Sequence, residues 1–200
     1  MLDSIFQPFV DGSPTTVMAS AALSRMLGAA RLDALFEESR QGQYVNTLMF
    51  STLVDLMAAV VIGSRGSIHA AYQAAGEEMK VSAPSVYEKM RNVETCTSQA
   101  LVRESAAEMA SLVDQMNGAL PSPAPGYAVR ILDGNCIAAS EHRIKELRPL
   151  AAGALPGKSL AVLDPQRRLI RDVFPCEDGH ANERSLLAQV LSTTLKGVAV

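Results

Sequence analysis

Asp133 stands where a carboxylate could do chemistry, because it closes a predicted strand and a basic segment follows it. Tyr127, Val129 and Ile131 fall with it on one side of that strand, and Gly134-Asn135 predicts the turn that ends it. A carboxylate at a strand end beside positive charge suits a divalent metal that acts on phosphodiesters. An aspartate that only opens a turn has the same spacing, and spacing alone favours this simpler interpretation.

Basic side chains dominate the segment after Asp133, which predicts a surface for a DNA backbone. The acidic residues of this segment are Glu146 and Asp164, and its basic residues are Arg143, Lys145, Arg148, Lys158, Arg167, Arg168 and Arg171. The phosphate contacts that we predict among them are Arg143, Lys145, Arg167 and Arg168. The whole chain has 18 basic and 21 acidic residues, so a polyanion has to be held by a local patch.

Residues 66–94 are similar to a helix-turn-helix, in which the second helix enters the major groove of DNA. A helix through Ile68 and Ala75 precedes a break at Gly76, and a second helix begins at Ser82 with Pro84 in its first turn. The DNA contacts predicted on this second helix are Ser85, Tyr87, Lys89 and Arg91. An ordinary corner between two helices fits the same pattern, and nearby glutamates weaken the basic patch.

The run from Ala152 to Ser159 resembles a phosphate-binding loop, since Gly157-Lys158-Ser159 follows a small residue and four others. Such a loop needs a strand before it and a helix after it. The residues that follow, Ser159–Leu163, predict a strand that Pro165 ends. Nucleotide binding through Lys158 and Ser159 is therefore a minor alternative.

The apolar pattern divides the chain into a helical part and an α+β part. Residues 1–117 have helical spacing, with the helix from Leu48 to Val61 as the predicted centre of the core. Residues 118–126 contain three prolines and two glycines, which predicts a linker and a domain boundary. The elements predicted in residues 127–200 are the strand with Asp133, a helical stretch at Ser140–Leu150, a hairpin of Ser159–Leu163 and Arg167–Phe174, a helix over Ala181–Leu191 and a strand at Val198–Val200.

The composition predicts a globular protein of the cytoplasm. Hydrophobic residues make up 48% of the chain and charged residues 20%, which is too apolar for disorder. Its three cysteines form no Cys-x-x-Cys pair, which favours reduced thiols. The first residues lack the pattern of a secretory signal, and polar residues interrupt the apolar window Val45–Ile62. We therefore expect no membrane partner.

Four stretches of the second part form a series: Ile131-Leu-Asp-Gly-Asn135-Cys-Ile-Ala-Ala, His142-Arg143-Ile-Lys-Glu-Leu-Arg148, Leu155-Pro-Gly-Lys158-Ser-Leu-Ala-Val-Leu-Asp164, and Asp172-Val-Phe-Pro175-Cys-Glu-Asp178-Gly-His-Ala-Asn-Glu183-Arg-Ser-Leu-Leu187. This series resembles the early catalytic domain of bacterial insertion-sequence transposases of the DDE type. Those enzymes cut and paste DNA with a ribonuclease-H-like core. The helical part with Ser82–Glu94 is similar to the region upstream of that core, so the resemblance covers most of the chain.

The resemblance implies an all-α N-terminal domain followed by the β-β-β-α opening of a ribonuclease-H-like domain. It implies that Asp133 is the first acidic metal ligand, in a family where three carboxylates hold two magnesium ions. The family's second Asp and its Glu lie on later elements, whereas this chain stops at Val200. We therefore expect the front portion of a transposase, inactive on its own.

The expected function is DNA transposition, with transposon ends as the partner and a nucleoid-associated location. The alternative is a non-catalytic protein that binds DNA or dimerises. Such a protein would modulate transposition by self-association or by contact with a full-length transposase.

Overall fold

The computed structural model describes residues 11–43, 48–76, 79–137, 157–176 and 183–194. They form helices and one antiparallel sheet, which confirms the α+β class. The chain folds into two compact units, Met1–Leu101 and Val102–Val200. Among the described helices, none has the length and apolar character of a bilayer-spanning segment. The stretch predicted to be helical at Ser140–Leu150 and the strand predicted at Val198–Val200 lie outside the described residues.

The first unit is built from helices, as its apolar spacing predicts. They are α1 (Pro14–Met26), α2 (Ala29–Ser39), α3 (Phe50–Val61), α4 (Ile68–Ala75), α5 (Ala83–Asn92) and α6 (Thr95–Gln115), the last of which continues into the second unit. A side-chain cap starts α5, because Ser82 Oγ accepts a hydrogen bond from the Ser85 N–H at 3.4 Å. Gly76 ends α4 with a φ of +55°, which glycine adopts without steric cost.

The core of the first unit lies between α2 and α3 and includes side chains from α4 and α5. Its buried residues are Leu32, Leu35, Phe36, Leu48, Phe50, Leu53, Leu56, Ala71 and Val86. The rings of Phe36 and Phe50 stack with their centroids 5.2 Å apart. The central place predicted for α3 is confirmed for its first half, whereas Met57 and Val61 are exposed.

The second unit contains a three-stranded meander and a helix. β1 (Ile131–Ile137) pairs with β2 (Gly157–Asp164), and β2 pairs with β3 (Leu169–Cys176), both antiparallel. The helix α7 (Glu183–Thr194) follows, and its Val190 is buried in a cluster with Leu160, Val162 and Phe174. The predictions of the hairpin and of the last helix are confirmed, with small shifts at their ends.

The first strand differs from its prediction in a way that bears on Asp133. The sequence predicts a strand from Tyr127 to Asp133, but β1 begins at Ile131 and continues to Ile137. Pairing with β2 extends to Ile137, opposite Gly157, so ladder formation outweighs the turn preference of Gly134-Asn135. Asp133 therefore lies inside a paired strand and not at its end.

The two compact units divide inside α6, at Leu101–Val102, whereas the sequence predicts a boundary at residues 118–126. The proline-rich segment does follow the end of a helix, since α6 stops at Gln115. However, Arg103 on α6 forms an ion pair with Asp172 on β3 at 2.8 Å. The proline-rich segment thus follows the end of a helix, and the domain boundary at residues 118–126 stays a prediction.

Candidate functional site

Asp133 is exposed on one face of the three-stranded sheet. The register places it opposite Ala161, and it places the neighbouring Leu132 opposite Val162. Val162 is buried together with Val190 of α7. Successive residues of a strand point to opposite faces, so Asp133 and Ala161 lie on the face away from this contact. Its carboxylate is therefore open to a ligand from solvent.

A two-magnesium site does not fit the donors that the described sheet brings to Asp133. The buried acids of the sheet are Asp164 and Asp172. Asp172 lies opposite Val162 and hence on the other face. Within the described ranges there is no group of three or more histidine, cysteine, aspartate and glutamate side chains that could hold a metal ion. No catalytic step follows from Asp133 alone.

Asp164 is fully buried and serves the turn between β2 and β3. Its carboxylate accepts hydrogen bonds from the N–H groups of Gln166 and Arg167 at 3.0 and 3.3 Å, and it pairs with the Arg130 guanidinium at 3.5 Å. Burial acts to raise the pKa of Asp164, but the Arg167 N–H, the Arg130 charge and the Arg167 side chain together hold that pKa below its ordinary value of 3.8. Asp164 is a structural anion.

Two of the predicted DNA contacts, Arg167 and Arg168, lie on this turn and differ in their surroundings. Arg167 donates to Asp114 from Nε and Nη2 at 2.9 and 2.8 Å, and to Asp164 from Nη1 at 3.1 Å. Its charge is thus engaged within the protein. Arg168 is exposed and has a φ of +55°. The predicted contacts Arg143 and Lys145 lie outside the described residues.

A stripe of exposed residues runs along α5. Its members Pro84, Tyr87, Glu88 and Arg91 have the spacing of one helix face. Ser85 is exposed beside them, and its Oγ lies 2.9 Å from the Oγ of the capping Ser82. Three predicted contacts, Ser85, Tyr87 and Arg91, therefore face solvent. We call Pro84, Tyr87, Glu88 and Arg91 the α5 stripe.

Lys89, the fourth predicted contact on α5, turns toward the core. Its Nζ donates to the Leu48 carbonyl oxygen and lies 5.1 Å from the centroid of the Phe36 ring. Burial lowers the pKa of Lys89, and the carboxylates of Asp33 and Glu37 oppose that shift. A sequence pattern does not reveal this, because the acceptor lies 41 residues away in the chain.

The connection between α4 and α5 is longer than that of an ordinary helix-turn-helix. Residues 76–82 join the two helices, seven residues in all, where the motif has a turn of about three or four. Tyr72 on α4 donates from its hydroxyl to the Val81 carbonyl at 2.8 Å, so the connection is tied to the first helix. The helix pair thus resembles the predicted motif in order and differs from it in loop length.

A cavity of about 200 Å³ between α2, the start of α3 and α5 has no counterpart in the sequence predictions. Phe36, Met49 and Phe50 line it together with Lys89 and Asp33. The Asp33 carboxylate accepts hydrogen bonds from the N–H and the hydroxyl of Ser51, both at 2.9 Å. Asp33 and Lys89 both have hydrogen-bond partners within the protein, so these two side chains serve the fold.

The candidate phosphate loop leads into a strand, as predicted. Lys158 and Ser159 belong to β2, with Ser159 opposite Pro175 of β3. The helix that would have to follow a phosphate loop is therefore replaced by a strand, which weakens the nucleotide hypothesis.

Comparison of the chain with protein-family models, with curated proteins and with solved structures gives no match. The candidate functional features therefore rest on the chain's own residues and are separate: the α5 stripe in the first unit and the exposed Asp133 of β1 in the second.

Proposed function

We propose that this chain acts in DNA transposition as part of a DDE-type transposase. The observation that supports the proposal is the position of Asp133 on the first strand of a β1-β2-β3 meander that α7 follows. A ribonuclease-H-like catalytic domain opens with this order of elements, and its first acidic ligand lies on its first strand. The sequence from Ile131 to Leu187 resembles the same family.

In this proposal the sheet presents a carboxylate and the helical unit recognises DNA. Asp133 is exposed, so a substrate or an ion can reach it from solvent. Magnesium, when bound, supplies charge neutralisation at the phosphate under attack. The further carboxylates that such a site needs have to come from outside the described residues or from another chain.

A second candidate is a DNA-binding protein without catalysis that modulates transposition. Two observations favour it: Asp133 stands alone among the described carboxylates on its face, and Tyr87 and Arg91 are exposed on α5. An exposed helix that carries an aromatic and an arginine side chain is suited to contact bases and phosphates.

Selection of DNA by the whole chain tests both candidates. Duplexes with a randomised centre are incubated with the purified protein, and the bound fraction is amplified and sequenced. We expect one preferred sequence, and an affinity that falls steeply with salt, because phosphate contacts release counterions. Enrichment of no sequence would contradict both candidates. Tight binding of ATP in place of DNA would restore the nucleotide hypothesis.

A further inference from the structure

Lys89 and the α5 stripe lie on opposite sides of the same helix. Lys89 is two residues from Tyr87 and two from Arg91, which corresponds to a rotation of about 200° in each direction around the helix axis. Lys89 is partly buried, whereas Tyr87 and Arg91 are exposed. The helix therefore has one cationic side chain directed inward and another directed outward.

The inward contact of Lys89 joins three segments of the first unit. Its Nζ donates to the carbonyl of Leu48, which precedes α3, and it lies over the ring of Phe36 on α2. Hydrogen bonds constrain direction as well as distance, unlike the apolar packing of the neighbouring Val86. A side chain that donates to a fixed carbonyl thus limits rotation of α5 about its own axis.

We infer that Lys89 is a positioning residue for DNA recognition by α5, and not itself a DNA contact. By fixing the rotation of α5, it holds Tyr87 and Arg91 outward in one orientation. A helix free to turn about its axis would not hold Tyr87 and Arg91 toward the DNA in one orientation and would lose discrimination among base sequences. This inference rests on the proposed function, because it names the residue that orients the DNA-reading face.

Three substitutions at Lys89 and Arg91, made in the full chain, test the inference. Lys89→Gln removes the charge and keeps an N–H donor for the Leu48 carbonyl, on a side chain one bond shorter. Lys89→Met removes both charge and donor and keeps the apolar stem. Arg91→Ala removes the outward cation. Each variant is measured on the duplex that the wild type selects and on a scrambled duplex, over a range of salt concentrations.

We expect Lys89→Met to lose about tenfold in preference for the selected duplex, the equivalent of one base contact. Its salt slope should match that of the wild type, because no phosphate contact is lost. Lys89→Gln should keep the preference of the wild type for the selected duplex. Arg91→Ala should lower the salt slope by about one. The matched control is Lys80→Ala, an exposed lysine outside the α5 stripe, which should leave the sequence preference unchanged.

Two results would overturn the inference while the proposed function stands. In the first, the wild type selects a duplex, but the salt slope of Lys89→Gln is lower than that of the wild type by about one, as expected for the loss of a direct phosphate contact. The other is a Lys89→Met variant with the wild-type preference. A wild type that selects no duplex would overturn the proposed function and the inference with it. If Lys89→Met does not fold, the salt slope and the sequence preference of Lys89→Gln still test the inference.

Discussion

Arg167 and Asp114 form an ion pair with two hydrogen bonds, 2.9 and 2.8 Å long, between residues 53 apart in the chain. The pair ties the β2–β3 turn to α6 inside the second unit. Arg167 also donates to the buried Asp164, so one guanidinium serves two carboxylates. Arg167 therefore stabilises the fold, and its guanidinium is already bonded to two carboxylates of the protein.

Arg167→Ala should lower the free energy of unfolding by about 1–3 kcal/mol, because the buried Asp164 loses a charged hydrogen-bond donor. Asp114→Ala should cost less than about 1 kcal/mol, since its side chain is 47% exposed. Urea unfolding of both variants measures these differences. Arg168→Ala is the matched control and should change stability by less than about 0.5 kcal/mol. Equal costs at Arg167 and Arg168 would contradict the assigned role.

Asp164 should make stability depend on pH in the acid range. Its folded pKa lies below 3.8, so its contribution is complete above its unfolded pKa and is lost as the pH falls through the folded pKa. Asp164→Asn should therefore be less stable than the wild type at neutral pH, and the gap should narrow below about pH 4. Urea unfolding between pH 3 and 7 measures the gap. A gap independent of pH would contradict the depressed pKa.

Glu94 should hold the backbone that follows α2. Its carboxylate accepts hydrogen bonds from the N–H groups of Gln41 and Gly42 at 2.6 and 2.8 Å, and these bonds lower the pKa of Glu94 below 4.5. Glu94→Ala should speed amide hydrogen exchange at both residues. In the wild type, protection relative to the intrinsic exchange rate should weaken as the pH falls below about 4.5.

The matched control for Glu94→Ala is Glu88→Ala. This substitution removes an exposed carboxylate from α5 and should leave amide exchange at Gln41 and Gly42 unchanged. Unchanged exchange in Glu94→Ala would show that other contacts hold the segment.

The chain alone should not nick supercoiled DNA, even with magnesium. Two ions lie about 3.5–4 Å apart in such sites and need several carboxylates, whereas Asp133 is the one described carboxylate on its face of the sheet. Agarose gels of plasmid treated with wild type and with Asp133→Ala make the comparison. Magnesium-dependent nicking that Asp133→Ala abolishes would mean that another carboxylate completes the site, with Asp178 the first to be tested.

The sequence by itself was sufficient for the helical first unit, the β2–β3 hairpin, α7 and the exposed positions of Tyr87 and Arg91. Each of these follows from local periodicity or turn chemistry, which a few neighbouring residues determine. The hypothesis of a transposase also came from the sequence, through the segments around Asp133 and Asp164, and it stays a prediction.

Only the tertiary structure showed which of the predicted DNA contacts already have partners within the protein. Lys89 and Arg167 look like DNA contacts in the sequence, but their partners Leu48 and Asp114 lie 41 and 53 residues away. The extent of β1 was decided in the same way, since pairing with β2 carried the strand past Gly134-Asn135. In each case the deciding energy comes from a contact between distant segments, and such a contact exists only once the chain has folded.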